Sequence, residues 1–150
     1  MNADRDKVGK SLNAKLKKIG DRYGITAIYA FGSRAEEIAS MLRGEEAFPS
    51  YPQSDVDIGI QLNMGQLLSA QDKIQLTIEL EDLFSASRVD LLVLSEVKPF
   101  LALDIIRGEL LHCRDLDEQA RDELYILRRA GDLAHFERER MRQTLGVDVQ

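Results

Sequence analysis

Two aspartates one residue apart, Asp55 and Asp57, stand inside an otherwise apolar run, "DVDIGIQL" (55–62). On an extended strand, residues i and i+2 point to the same face. The two carboxylates would therefore lie side by side, with Val56, Ile58 and Ile60 turned the other way toward a core. Two like charges this close are costly unless a cation sits between them or one takes up a proton. A divalent cation is the simplest answer, because hard cations prefer carboxylate oxygen. A third carboxylate, Asp90, opens another apolar run, "RVDLLVL" (88–94). If that run pairs beside 55–61, three carboxylates can hold two magnesium ions, activate an attacking oxygen and stabilise a leaving pyrophosphate. Asp55 and Asp57 would be ligands. Asp90 would be a ligand and would either take the proton of an acceptor hydroxyl or orient it. Bland alternatives exist for each: a solvated strand edge for the pair, and an ion pair with Arg88 for Asp90.

A second feature precedes these. "ITAIYAF" (25–31) is β-branched and aromatic and stops at Gly32-Ser33-Arg34. Gly32 permits close backbone approach. The amides of the turn and the Ser33 hydroxyl can hold phosphate oxygens, and Arg34 adds a cation beside them. "SRAE" also reads as a capping box, with Ser33 as N-cap and Glu36 three residues on.

The elements that must position these residues follow from periodicity and punctuation. Val8, Leu12, Leu16 and Ile19 predict an amphipathic helix over 3–22, ending near Gly24. Strands are expected at 25–31, 55–62, 88–94 and 109–113. Helices are expected at 34–44, 64–84 and 97–108, the last started by Pro99 and stopped by Gly108. A final helical segment, 116–143, has a candidate break at Gly131. "EEAFPSYPQ" (45–53) has two prolines and no period, so it reads as a loop. The whole is a single domain, 1–150, of α+β class: a small mixed sheet of about four strands flanked by helices.

Composition excludes several classes. The formal net charge of −6 makes the chain a poor direct ligand for nucleic acid. The lone Cys113 rules out an internal disulfide and a Cys-rich zinc site. No run approaches the ~20 apolar residues of a membrane span, and "MNADRDKVGK" has no apolar signal core. A cytoplasmic location is the expectation.

In order and context, "GSRA" after a strand, then "SDVDIGI", then "RVDLLVL", the chain resembles the polymerase-beta-like nucleotidyltransferase superfamily. Its size resembles the minimal nucleotidyltransferase (MNT) branch. The resemblance covers about 25–113 and, more loosely, the final helix. It implies that Gly32 and Ser33 bind nucleotide phosphates. It also implies that Asp55, Asp57 and Asp90 bind Mg²⁺, two ions with Mn²⁺ as substitute, and transfer a nucleoside monophosphate from a triphosphate, AMP from ATP. It further implies an antitoxin whose partner is a HEPN-family toxin, the acceptor being a tyrosine hydroxyl of that toxin. Other readings are a transferase acting on a small, aminoglycoside-like acceptor and an antitoxin that binds without catalysis. Homo-oligomerisation is left open. Ser33 and Asp55 are further apart than in compact members, which implies an insertion near the mouth of the site. Finally, Leu116, Ala120, Leu124, Leu127, Leu133 and Phe136 stripe the last helix. Part of the stripe is expected to cover the sheet and part, with Tyr125 and Phe136, to dock a helical partner.

Overall fold

The computed structural model of the protein describes residues 2–46 and 54–146. Ten elements follow in order. Helix α1 (Asn2–Tyr23) leads into strand β1 (Ile25–Phe31), and helix α2 (Ala35–Leu42) into strand β2 (Val56–Leu62). Helix α3 (Ala70–Phe84), strand β3 (Val89–Val93) and a single 3-10 turn (Leu94–Glu96) come next. Helix α4 (Pro99–Ile106), strand β4 (Glu109–Cys113) and helix α5 (Leu116–Leu145) complete the chain.

The four strands form one mixed sheet in the order β3-β2-β1-β4. β1 is antiparallel to both β2 and β4, while β2 and β3 run parallel. A parallel pair needs a crossover, and α3 supplies it. The two central strands, β1 and β2, bury residues on both faces. Ile28, Ala30, Val56, Ile58, Ile60, Val89 and Val93 pack with Leu16, Ile19, Ile38, Leu76, Leu80 and Phe84 of α1, α2 and α3. The opposite face packs Ala27 and Tyr29 with Ala102 and Ile105 of α4 and Ile126 of α5. The sheet thus has helices on both faces, as its apolar strands require.

Three elements differ from the sequence reading. The helix expected over 64–84 starts at Ala70, where the Ser69 hydroxyl accepts the Asp72 amide at 3.0 Å. Upstream, Gly65 has a φ of +80° and Gln66 N–H donates to the Asn63 carbonyl, so a turn displaces the first helical turns. Leu67 lies at helical spacing but is exposed. The last helix runs unbroken through Gly131 and ends at Gly146, which adopts the left-handed conformation at its C-cap. One internal glycine costs only about 1 kcal/mol, too little to break a helix that Asp115 caps at its start. Ser33 does not cap α2: the helix begins one residue later, with Arg34 at the N-cap and no side-chain cap bond. Most of the expected loop 45–53, residues 47–53, lies outside the described residues.

Candidate active site

Pairing of β2 and β3 brings the acidic residues together. In the parallel register Asp57 stands opposite Asp90, and across the antiparallel pair Asp57 stands opposite Phe31. Opposed residues project to the same face. Asp55, Asp57 and Asp90 therefore share the face that carries α4 and α5, with Asp55 just before the first residue of β2.

What keeps this face open at the aspartates is where α4 lies. Gly59, two residues past Asp57, is buried, and a Cβ built there would overlap Ile105 of α4. The missing side chain lets the helix sit directly on the sheet backbone. Past Gly59 that cover ends: Asp55 and Asp57 are half-buried and Asp90 is exposed.

The three carboxylates lie close enough to act on one another. Burial pushes the Asp57 carboxyl above the ordinary carboxylate value, and the negative charges of Asp90 and then Asp55 push it further in the same direction. Arg88 Nε reaches Asp55 Oδ2 at 3.5 Å from the exposed side. The cation thus stands by Asp55 rather than by Asp90, and both partners are well exposed, so the pair is weak. Among the described residues no three acidic, histidine or cysteine groups are already gathered as a ready-made metal cage. Strand neighbours about 4.8 Å apart leave side chains free to rotate inward onto a shared ion. The donors are carboxylate oxygens, as a hard divalent cation requires, so the residues fit a magnesium site.

The turn after β1 meets this cluster. Gly32 has a φ of +75°, a left-handed conformation, and a Cβ there would overlap Asp57 Oδ2. Ser33 follows, exposed. Arg34 behaves differently from the phosphate-facing cation that the sequence suggests. Its guanidinium is nearly buried, with Nε and Nη2 on Glu37 Oε2 at 2.8 and 2.7 Å and Nη1 on the Ser54 carbonyl at 3.2 Å. Glu37 is three residues on, a helix-local partner that spacing could have shown; the Ser54 contact depends on where β2 comes to lie.

A separate polar knot holds α5 to this side of the sheet. Tyr29 Oη donates to Glu123 Oε1 at 3.0 Å and accepts from Gln119 Nε2 at 2.9 Å. Burial pushes the Tyr29 hydroxyl well above the usual tyrosine value.

The description "Polymerase beta, Nucleotidyltransferase" fits residues 14–117, a span that includes the turn, all three aspartates and all four strands. The chain belongs to this nucleotidyltransferase family. Several solved structures share its fold. A toxin–antitoxin MntA–HpeT complex with two aspartate-to-glutamate substitutions is 20% identical, over 89% of this chain and 93% of that one, at a TM-score of 0.58. A tri-AMPylated HEPN toxin from Shewanella oneidensis in complex with MNT antitoxin is 20% identical, over 91% and 94%, at 0.56. A toxin–antitoxin with AMP-PNP is 21% identical, over 89% and 94%, at 0.55. At these identities the likeness is one of fold. No curated protein matches the nucleotidyltransferase chain in sequence. None of its described helices is long and apolar enough to cross a membrane.

Proposed function

We propose that this nucleotidyltransferase transfers AMP from ATP to a tyrosine hydroxyl of a HEPN-type toxin and so acts as its antitoxin. The observation that carries the reading is the register of β2 and β3. It sets Asp57 opposite Asp90 on one face, beside a glycine turn that comes up against the Asp57 carboxylate. The fold shared with a complex described as an AMPylated HEPN toxin with MNT antitoxin, and with a toxin–antitoxin bound to AMP-PNP, supports partner and nucleotide.

In this reading Asp55, Asp57 and Asp90 hold magnesium, with manganese able to replace it. The bound metal supplies the positive charge that offsets what builds up on the phosphate oxygens and the leaving pyrophosphate. Gly32 and Ser33 receive the triphosphate: the turn's amides and the Ser33 hydroxyl donate to its oxygens. Asp90, the most open of the three carboxylates, faces the acceptor and takes the tyrosine proton. The tyrosine oxygen bonds to the α-phosphorus as the bond from that phosphorus to the bridging oxygen breaks, and pyrophosphate carries that oxygen away.

The test is co-expression with a HEPN-type partner followed by intact-mass spectrometry of that partner. Added masses in multiples of AMP, absent with an Asp55→Asn, Asp57→Asn double variant, are the expected result. A stable complex that neutralises the toxin with no added mass would defeat the enzymatic claim. In parallel, incubation with labelled ATP, GTP, CTP and UTP identifies the nucleotide.

A further inference from the structure

Twenty residues separate Arg34, just after the phosphate turn, from Ser54, just before the aspartate pair. The chain leaves the site at the first and returns at the second. Both ends of that excursion carry site residues: Gly32 and Ser33 before it, Asp55 and Asp57 after it. The β1–β2 pairing already joins the two ends, with Phe31 opposite Asp57, but Ser54 and Asp55 come before the first residue of β2 and need a hold of their own.

One side chain supplies that hold. Each of the three nitrogens of the Arg34 guanidinium already has a protein partner: Nε and Nη2 face Glu37 Oε2, and Nη1 donates to the Ser54 carbonyl. The Arg34 and Glu37 side chains are 12% and 9% exposed, so this is a largely buried ion pair rather than a freely solvated one. Glu37 stands in the first turn of α2, where the helix N-terminus favours an anion. The carbonyl of Ser54 and the amide of Asp55 belong to one rigid peptide plane. Holding that carbonyl therefore fixes the direction in which the chain enters Asp55. Two residues on, Val56 N–H is anchored to the Arg88 carbonyl at 3.0 Å and the strand ladder takes over. The Ser54–Asp55 plane is the last joint before the ladder, and Arg34 holds it.

We propose that Arg34 and Glu37 form a positioning clamp on the Ser54–Asp55 peptide, which orients Asp55 beside the ladder-held Asp57 and the Gly32–Ser33 turn. The proposal rests on the metal-dependent transferase reading and assigns Arg34 a role other than binding phosphate. Three of the five N–H groups of Arg34 face protein acceptors and its charge is offset by Glu37, so the fork is turned toward the chain rather than toward a nucleotide. Arginine suits the task because one planar fork can grip a carboxylate and a carbonyl at once, which an ammonium group cannot.

The test separates positioning from direct phosphate contact. Mn²⁺ binding in the presence of ATP is followed by electron paramagnetic resonance. Metal-free nucleotide binding is followed by fluorescence of mant-ATP in EDTA. The Arg34→Met, Glu37→Gln double variant removes both charges, so neither is left buried alone. It is expected to bind Mn²⁺ about 10-fold or more weakly, as loss of an outer-shell support usually does. Its metal-free mant-ATP binding and circular dichroism are expected to match the parent. The Glu37→Gln single variant keeps the fork and one acceptor and is expected to show a smaller loss in the same direction, which also serves if the double variant fails to fold. Unchanged Mn²⁺ affinity in a folded variant overturns the clamp. So does a loss of mant-ATP binding in EDTA, which would make Arg34 a phosphate ligand. If the transferase reading itself is wrong, the parent protein binds no Mn²⁺ at the aspartates, and Asp57→Asn is indistinguishable from it.

Discussion

Gly32 and Asp57 occupy adjoining space: the turn that follows β1 leaves room for the Asp57 carboxylate only because residue 32 has no Cβ. The backbone there has a φ of +75°, which an L side chain resists. Gly32→Ala therefore carries two costs, about 1–2 kcal/mol for the left-handed conformation and a collision with Asp57 Oδ2. A lowered melting temperature and lost ATP binding by calorimetry are expected. In the background of Asp57→Ala the collision is gone and only the conformational cost remains. The same Gly32→Ala change should then destabilise less, the difference being the coupling between the two positions. Equal losses in both backgrounds would show that the two residues do not press on each other.

Asp57 makes the metal-free protein sensitive to pH. Burial, Asp90 and Asp55 all raise its folded-state value above that of an unfolded chain. The folded protein then binds the proton more tightly than the unfolded one, and stability falls as pH rises. The loss begins near the ordinary carboxylate value and is complete above the raised one. Melting curves in EDTA should show this decline, and Asp57→Asn should flatten it while leaving the melting temperature at neutral pH level or higher. Adding Mg²⁺ at neutral pH should stabilise the parent and not the variant. A decline that survives in Asp57→Asn would assign the titration to another group.

Helix α4 sets the edge of the open face through one contact. Because a Cβ at Gly59 would overlap Ile105, Gly59→Ala should destabilise by about 1–3 kcal/mol, the usual cost of overpacking a core. Trimming the neighbour in the Gly59→Ala, Ile105→Ala pair should give less than the sum of the two single losses. Chemical denaturation of the four proteins checks it; additive losses would mean that α4 does not lie on the backbone at Gly59.

How far the site could be read before folding depends on the kind of contact involved. The convergence of Asp55 and Asp57 follows from strand alternation alone, and Asp90 announced itself as a carboxylate at the mouth of an apolar strand. The sheet of four strands was legible for the same reason, since each strand is a short β-rich run bounded by glycine or polar residues. What stayed hidden are contacts made across long sequence separations. Gly59 looks like any strand glycine until Ile105 of α4 lies over it. Arg34 looks like a free cation until the Ser54 carbonyl, 20 residues on, closes on it, although its pairing with Glu37 is helix-local and was legible. The early start assigned to α3 has a local cause: Leu67 and Leu68 carry helical spacing, but Gly65 and the Ser69 cap redirect the backbone.

The far half of α5 gives the sharpest test of the partner. Among the described residues the helix buries Ile126 and Ala130 and nothing beyond them. Phe136, 59% exposed, lies eleven residues past Tyr125, 61% exposed. That separation is about three turns, so both rings stand on one side of the helix. A phenylalanine placed there contributes little to the isolated fold, yet it offers a partner a large apolar anchor. Phe136→Asp is therefore expected to change stability by no more than about 0.5 kcal/mol, as exposed substitutions do. Ile126→Ala is expected to cost about 2–5 kcal/mol. Co-purification with a HEPN-type partner should fail for Phe136→Asp in spite of its intact fold, and AMP addition to that partner should fall with it. Should Phe136→Asp instead unfold the protein as readily as Ile126→Ala, the end of α5 packs on its own domain and the docking face lies elsewhere. Unimpaired co-purification with an intact fold would equally remove Phe136 from the interface.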